Sequence, residues 1–527
     1  MPELNGRVLD KKDGLSQLLQ SYPSKQMAAE CINKHFCSSF SEPPNWSSAM
    51  AGAIPLYSKP WDIDISVQTV FSHLIRLDCK KSTGSDGISS LLLRECAASF
   101  AEPITHLFNL SVECQKVPQQ WKMAHVIPVP KRRVTSLDDI RPISLLPIIF
   151  KIFESLVLES IKEKLIRSYG EEQFGFRPRS STLLANIAMT DCIAQSLDQD
   201  DITGVMVISF DMSRAFDRLK HFNLLMTLNK GQDLPEAFIS WCTNFLQDRF
   251  QRVKLESVMS SLRPVTSGVP QGSRLSPCLF SCHMGLLKSR SESTRTFKYA
   301  DDIVMIKPIF KGSDVERSFD VELTHVKRWC KENGLLLNDD KTNVMIVRKG
   351  VPLSPCTLPT VRSMRILGVT FQDDLKWNLH TDNVVRIAAR RIFVLRKLKR
   401  MPGITKEDLV TVYCAYVRSI LEYNCPVFAG FSKMNAKKLD NIQRRCHRII
   451  CSRDCHCDIF EELSDRRDLH CIRVLKSILQ RENIIHSIAP RTLSHSKHLS
   501  VPFCKTYRHA STFIPQHATL LYNGLKF

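Results

Sequence analysis

The sequence predicts an α+β protein with an antiparallel sheet covered by helices on one face. Two observations carry this prediction. One is an apolar, β-branched run from Ile202 to Phe210, and the other is a pair of short apolar runs, Thr296 to Ala300 and Ile303 to Ile306, separated by Asp301 and Asp302. An acidic pair between two such runs is typical of a tight hairpin turn. Because helical segments gather between these strands, a doubly wound parallel fold is not favoured.

Periodicity and end signals predict the other elements. Apolar residues near period four predict a helix over Ile148 to Ile166, and a capping box of Ser313 and Glu316 predicts the start of another, which Gly334 ends. The prolines of the strand His125 to Pro130 suit only a sheet edge. Further helices are predicted over Leu91 to Cys114, Phe222 to Leu246 and Val384 to Arg400, and further strands over Val344 to Val347 and around Ile366 to Phe371.

Composition places the chain among ordinary globular proteins. Its 527 residues are too many for one domain, and 43% hydrophobic with 24% charged residues is not typical of disordered tails, collagen-like rods or membrane bundles. The longest apolar stretch, Pro142 to Leu158, contains Lys151 and Glu154, so it does not predict a membrane span. The N-terminus lacks the apolar segment of a signal peptide. We therefore expect a protein of the nucleus and cytoplasm without a membrane partner.

An excess of positive charge is the first functional indication. The net charge is +20, and residues 381–527 carry 26 Lys and Arg against 12 Asp and Glu. A basic region of this weight fits a polyanionic partner, most often nucleic acid. The alternative is a solvated basic surface without a partner.

The 19 cysteines are scattered, mostly inside apolar runs, and without a secretory signal they indicate reduced thiols rather than a disulfide framework. One Cys- and His-rich cluster extends from Cys446 to Cys471 and includes Cys455, His456 and Cys457. It has no Cys-x-x-Cys pair and its spacing fits no standard zinc finger, so free thiols are favoured and a zinc site stays open.

Three carboxylates are candidates for chemistry. Asp211 directly follows a buried strand, and Asp301 and Asp302 occupy the turn between two others. Mg²⁺ prefers oxygen ligands, typically one or two carboxylates together with substrate phosphates, and two such ions can hold both the attacking and the leaving oxygen of a phosphoryl transfer. The alternative is an ordinary acidic hairpin turn and a capping aspartate.

The segments that hold these carboxylates resemble motifs A, B and C of reverse transcriptases: Ser209 to Asp217, Gly268 to Pro277 and Tyr299 to Asp302. Further segments resemble the fingers motifs, the block after them, motif D and the primer grip, in the same order: Ile127 to Lys131, Arg141 to Leu146, Gln173 to Arg177, Gly334 to Thr342, and Leu367 to Phe371. Lys81 to Ile88 and, more faintly, Tyr416 to Tyr423 are similar to LINE-type retrotransposons without long terminal repeats, the jockey-like group in particular.

The resemblance implies a right-hand polymerase with fingers, palm and thumb, an antiparallel palm sheet and a mostly helical C-terminal region. We expect an N-terminal helical extension over residues 1–80, fingers over 81–200, a palm with the catalytic motifs over 201–380, and a basic helical thumb and C-terminal region over 381–527. Neither an endonuclease before the polymerase motifs nor a ribonuclease H after them is expected.

The resemblance also implies an RNA-directed DNA polymerase that extends a DNA primer on an RNA template, using deoxynucleoside triphosphates and two Mg²⁺ ions, with Mn²⁺ as an alternative. Asp211 and Asp301 would bind the metals, with Asp302 as a weaker third carboxylate, and Phe216 would be the steric gate that excludes a 2′-hydroxyl. The remaining implied roles are nucleotide binding for Lys131, Arg141, Gln271, Gly272 and Lys341, and the primer grip for Leu367, Gly368 and Val369.

The sequence departs from the family pattern in a few places: Ser85, Ile140 and Cys282 to Gly285 stand where other residues are usual. None of these positions is one of the metal-binding carboxylates. Two alternatives remain open, an intron-maturase-type reverse transcriptase and a catalytically idle or truncated nucleic-acid-binding relic.

Overall fold

The computed structural model describes residues 15–40, 61–131, 134–230, 234–350, 357–451, 460–480, 483–489 and 504–522. The chain divides into two compact units, each made of separate segments. Unit 1 contains Met1–Gln173, Met212–Leu287 and Val326–Leu337, and unit 2 contains Phe174–Asp211, Lys288–His325 and Asn338–Phe527. The contiguous domain boundaries expected from the sequence stay a prediction.

The strands form two larger sheets and two strand pairs, and their bounds are β1 Met123–Pro130, β2 Ile140–Leu145, β3 Ile202–Phe210, β4 Met212–Ser213, β5 Arg249–Leu255, β6 Val258–Met259, β7 Arg263–Val265, β8 Arg295–Tyr299, β9 Asp302–Phe310, β10 Leu336–Leu337, β11 Asn343–Arg348, β12 Ser363–Ile366 and β13 Val369–Gln372.

A short helix over residues 15–20 precedes the numbered helices. Their bounds are α1 Lys25–Cys37, α2 Val67–Ile75, α3 Ser90–Glu95, α4 Ala97–Glu113, α5 Ile148–Arg167, α6 Thr182–Asp198, α7 Ala215–Arg218, α8 His221–Lys230, α9 Glu236–Leu246, α10 Ser276–Met284, α11 Val315–Glu332, α12 Asn378–Leu398, α13 Lys406–Val412, α14 Ser419–Leu421, α15 Lys433–Cys451, α16 Leu463–Ile478, α17 Tyr507–Ala510 and α18 Phe513–Tyr522.

Unit 1 is built around the sheet β2-β1-β5-β6, with β7 also paired to β5. The sequence predicted β1 at a sheet edge because of its prolines, but β1 lies between β2 and β5. The predicted edge position is therefore wrong for β1 as a whole, but it is right for the second half of the strand. The parallel pairing with β5 covers Met123 to Val126 only, so Pro128 and Pro130 pair with β2 alone and no ladder hydrogen bond is lost.

Unit 2 contains the antiparallel sheet β11-β3-β9-β8. This confirms the predicted α+β class and its central hairpin, and the described residues after β13 are helical or irregular, as predicted. Almost every residue of β3 is buried. Both faces of this strand are therefore covered, whereas the sequence predicted a sheet covered on one face. Helix α6 packs against β3, β8 and β9, and one hydrophobic core joins these elements to α12, α15 and α16.

Helix ends differ from the predictions where local signals compete. The predicted helix over Leu91 to Cys114 breaks at Cys96 into α3 and α4. The predicted helix over Phe222 to Leu246 is likewise two helices, α8 and α9. The predicted Ser313 capping box is wrong, because Asp314 accepts the hydrogen bond from the Arg317 amide, at 3.0 Å, while the Ser313 hydroxyl turns back to a carbonyl of β9.

Within the described parts of the chain, no helix is long and apolar enough to cross a membrane. The described cysteines are free thiols, and Cys446, Cys451 and Cys471 are buried. Cys455, His456 and Cys457 of the Cys- and His-rich cluster lie outside the described residues, so the question of zinc stays open.

Candidate active site

The three candidate carboxylates lie at one end of the unit 2 sheet. Strand β3 ends at Phe210, whose partner in β9 is Ile303, so the next step of the same register places Asp211 opposite Asp302. Strands β8 and β9 pair from Tyr299 to Asp302, which leaves a two-residue turn that contains Asp301. Residues directly opposite on antiparallel strands are close neighbours on one face of a sheet. Two chain segments ninety residues apart thus bring their acidic residues together, as the sequence predicted.

Desolvation and charge repulsion both act on this cluster. The pKa of Asp302 is raised to about 6, first by desolvation and then by the negative charges of Asp301 and Asp211. The Lys341 ammonium lies 3.2 Å from a carboxylate oxygen of Asp211 and forms an ion pair with it. Lys341 sits in a 3-10 turn, Asp339–Lys341, and its side chain is 65% exposed, so it can leave this pair without losing packing.

The donor set fits a hard divalent cation that is shared with a substrate. Among the described residues, no three His, Cys, Asp or Glu side chains are arranged to hold a metal ion by themselves. Mg²⁺ commonly takes only one or two carboxylates and completes its shell with water and substrate phosphates. These carboxylates lie at a strand end, and the pKa of Asp302 is raised by desolvation and by the neighbouring negative charges, so they are a suitable partial shell because a cation would relieve the repulsion.

A strained backbone forms the turn between β8 and β9. Ala300 has φ +58°, a left-handed conformation that is uncommon for residues other than glycine. The turn rests on the chain at Gly175, where an added Cβ would lie 2.5 Å from the Ala300 nitrogen. Next to it, the Phe174 amide donates a hydrogen bond of 2.8 Å to the carbonyl of Lys298. Gly175 therefore supports this turn, a role that the motif Gln173 to Arg177 does not reveal from the sequence.

The predicted primer grip is a second hairpin of unit 2. Strands β12 and β13 are antiparallel, and Leu367 and Gly368 form the turn between them with φ values of +44° and +87°. Two consecutive positive φ values are typical of the tight turns that match the twist of a hairpin, and glycine is preferred there. Val369 is the first residue of β13 and is buried.

Gln271 and Gly272 lie on a loop of unit 1 that contacts β2. The side-chain amide of Gln271 donates a 2.8 Å hydrogen bond to the Asp217 carboxylate. The backbone carbonyl of Gln271 accepts a 2.7 Å hydrogen bond from the backbone amide of Ser144. Gly272 has φ +132°, and an added Cβ would collide with the Ser144 carbonyl oxygen. In the structure the demand at Gly272 comes from the protein's own backbone.

Phe216, also in unit 1, stacks on Phe280 with ring centroids 4.3 Å apart and an interplanar angle of 19°. It is half-buried, so one part of its ring is packed and the other is accessible. Its neighbour Asp217 has a pKa raised to about 6, first by desolvation, and the Gln271 hydrogen bond opposes the shift. Sequence reasoning had not given Asp217 a role, although its place in motif A was the available signal.

The two basic candidates of the fingers motifs differ in their contacts. The Lys131 ammonium donates a 3.0 Å hydrogen bond to the Asp138 carbonyl, which ties the β1–β2 connection together. Arg141 points out from β2 with its side chain exposed, and none of the described residues forms a hydrogen bond or ion pair with its guanidinium. Of the two, Arg141 is the side chain that is available to a ligand.

Comparisons with known proteins agree with these motifs. Residues 129–371 match the family described as reverse transcriptase (RNA-dependent DNA polymerase). Among curated proteins, the "Probable RNA-directed DNA polymerase from transposon BS" of Drosophila melanogaster is 28% identical over 73% of this chain and 44% of its own length. The "RNA-directed DNA polymerase from mobile element jockey" of the same organism is 24% identical over 73% of this chain and 44% of its own length. A solved structure of apo telomerase from Candida tropicalis covers 69% of this chain and 62% of that one, at 15% identity and a TM-score of 0.40, a likeness too low to support a conclusion.

The match to this family spans residues 129–371, and motifs A to D and the predicted primer grip lie within that range in their expected order. The chain is similar to the polymerases of LINE-type retrotransposons without long terminal repeats, including the jockey group, which confirms the resemblance drawn from the motifs. It spans less than half the length of these curated relatives.

Proposed function

We propose that this chain is an RNA-directed DNA polymerase of a LINE-type retrotransposon. The observation that supports it most is the meeting of Asp211, Asp301 and Asp302 at the ends of two neighbouring strands, with Lys341 as their cation. An acidic cluster that raises the pKa of one of its own members costs stability, and such costs are typical of functional sites.

The proposed reaction is attack of a primer 3′-hydroxyl on the α-phosphate of a deoxynucleoside triphosphate, with pyrophosphate as the leaving group. Asp211 and Asp301 would hold two Mg²⁺ ions, with Mn²⁺ as an alternative, and Asp302 would contribute weaker charge. When bound, such ions activate the attacking oxygen and neutralise charge on the leaving one. The chain's own part is to orient the reacting groups, as in other phosphoryl transfers.

Lys341 has a second position available in this scheme. The Lys341 side chain is 65% exposed, so if Asp211 held a metal ion the ammonium could turn toward the leaving pyrophosphate, where it would stabilise negative charge or supply a proton. Arg141 would bind triphosphate oxygens, since a planar guanidinium suits them bidentately. Lys131 would assist it, and Gln271 and Gly272 would line the nucleotide pocket.

Two basic helices of unit 2 would bind the backbone of the RNA template and DNA primer. The inward face of α12 is apolar, with Ala388, Ile392 and Leu395 fully buried, while Arg386, Arg390 and Arg396 are exposed. Helix α15 has the same division and an exposed face whose basic side chains pair with none of the described residues: Lys433, Lys437, Arg444, Arg445 and Arg448. Unpaired positive charge of this density favours a polyanion.

Primer extension by the purified chain tests this proposal. An RNA template with an annealed DNA primer, deoxynucleotides and Mg²⁺ should give extended product, and the product should disappear when a chelator is added. Binding without extension would favour the nucleic-acid-binding relic. Extension together with assistance of intron splicing would favour the maturase-type alternative.

A further inference from the structure

Tyr423 lies where three parts of unit 2 meet, although it is not part of the motifs that carry the chemistry. It follows α14, and its ring packs over the turn of the β12–β13 hairpin. A Cβ added to Gly368 would lie 2.9 Å from the Cε1 atom of Tyr423 and 3.3 Å from its Cζ atom. The primer-grip turn therefore has a glycine at the position covered by the tyrosine ring.

The Tyr423 hydroxyl has two hydrogen-bond partners from different elements. It donates to the Leu367 carbonyl at 3.0 Å, and it lies 3.2 Å from the hydroxyl of Thr182. Thr182 is the first residue of α6, the helix that packs against β8 and β9. One phenol thus joins the turn of the primer-grip hairpin to the helix behind the catalytic hairpin.

The same phenol is also a neighbour of the catalytic turn. Tyr299, the last residue of β8, lies near Tyr423. The backbone that carries Tyr423 is held in turn, because the adjacent Glu422 forms an ion pair with Arg466 of α16. Tyr423 is nevertheless 43% exposed, so its ring does not belong to the buried core.

We propose that Tyr423 is a positioning residue that fixes the Leu367–Gly368 turn relative to the catalytic hairpin, and thereby sets where the primer 3′ end rests. The inference deepens the proposed function and rests on it. An exposed aromatic ring does little for stability, yet here both of its hydrogen bonds and its packing act on two hairpins that must keep one relative position. Small displacements of a reacting group reduce rates strongly, so a fixed turn has a catalytic use.

Steady-state primer extension by the full chain tests the inference with three variants. Tyr423→Phe keeps the ring and removes both hydrogen bonds, and Thr182→Val removes one of them. Tyr416→Phe is the matched control, because Tyr416 is 41% exposed in the same unit and none of the described residues forms a hydrogen bond with its hydroxyl. Losing a hydrogen bond of ordinary strength should lower kcat/KM for the primer by about three- to tenfold in Tyr423→Phe.

The pattern of the loss separates positioning from folding. We expect Tyr423→Phe to melt with the wild type, to keep its KM for the nucleotide, and to extend matched and mismatched primer ends more equally than the wild type does. Thr182→Val should change in the same direction by less, and Tyr416→Phe should match the wild type. Wild-type rates and discrimination in Tyr423→Phe, or a loss that only follows a lower melting temperature, would overturn the inference. A wild-type chain that extends no primer would instead refute the proposed function, and the inference with it.

Discussion

Replacing Phe216 by Val separates a gate from a core residue. In the gate interpretation the ring occupies the space that a 2′-hydroxyl would need, so the smaller residue should admit ribonucleotides. Forcing extra atoms into a filled site costs about 1–3 kcal/mol, so relief of that cost should change the preference for deoxynucleotides by about 5- to 150-fold. The half-buried position of Phe216 and its stack on Phe280 also predict a loss of stability.

The structural part of the effect can be bounded. A stacked aromatic pair contributes about 0.5–1.5 kcal/mol beyond burial. Removing a fully buried Phe costs about 3–5 kcal/mol, and here half of the ring is packed and Val retains part of the contact. We expect about 1–2 kcal/mol lower stability for Phe216→Val. Phe280→Val is the matched control, because it removes the same stack from the other ring, which is fully buried.

The assay is the ratio of kcat/KM for a deoxynucleotide over the matching ribonucleotide, with a thermal melt of each variant. The ratio should fall in Phe216→Val and stay at the wild-type value in Phe280→Val, although Phe280→Val loses at least as much stability. A ratio that does not change in Phe216→Val while its melting temperature drops would mean that Phe216 is a core residue and not the gate.

Three further outcomes are expected. Gly175→Ala should reduce the rate of primer extension by about a hundredfold while the chain still folds, because its Cβ must displace the Ala300 turn. Extension at the wild-type rate would show that Gly175 does not support the site. Asp302→Asn should melt above the wild type at pH 7.5 without metal, because a carboxyl whose folded pKa is raised to about 6 lowers stability above that pH, and the stability returns as the pH falls toward 4. Mg²⁺ should raise the melting temperature of the wild type more than that of the variant. Identical melting temperatures under all conditions would contradict the assignment. A variant of α15 with Lys433, Lys437, Arg444 and Arg448 replaced by Gln should bind duplex DNA with a weaker dependence on salt. The slope of log K against log salt should fall by about 0.9 for each lost phosphate contact. An unchanged slope would indicate a solvated face.

Charge substitution is a cleaner test of the basic region than truncation. Helices α12, α15 and α16 share one hydrophobic core with β3 and β9, so deleting residues 381–527 would expose the interior of unit 2. The sequence shows a basic C-terminal region, because charges can be counted along the chain. It does not show that the helices of this region share their hydrophobic core with β3 and β9.

The β8–β9 hairpin could be predicted because its signals are local. The apolar runs of β8 and β9, and the acidic pair between them, lie within a dozen residues, and the short turn sets the pairing. The same is true of β3, whose bounds match the predicted run from Ile202 to Phe210. Bringing Asp211 to that hairpin needed the family resemblance, because no local signal sets the register between β3 and β9.

Contacts between distant segments could not be predicted. Gly175 supports Ala300 and Gly368 fits under Tyr423, and in each case the glycine is required by a residue far along the chain. A glycine in sequence shows only that a close approach or a positive φ is allowed. The choice between Ser313 and Asp314 as a helix cap failed for another reason, since both are good capping residues and only their backbone geometry decides.

Primer extension by Asp301→Asn tests the central claim most directly. The variant removes one negative charge from a surface turn and leaves its size unchanged, so it should fold and bind a template–primer duplex as the wild type does. The matched control is Asp320→Asn, an exposed aspartate on α11. On an RNA template with Mg²⁺, we expect extension by the wild type and by Asp320→Asn, and no detectable product from Asp301→Asn. Extension by Asp301→Asn at the wild-type rate would contradict the assignment of the catalytic carboxylates.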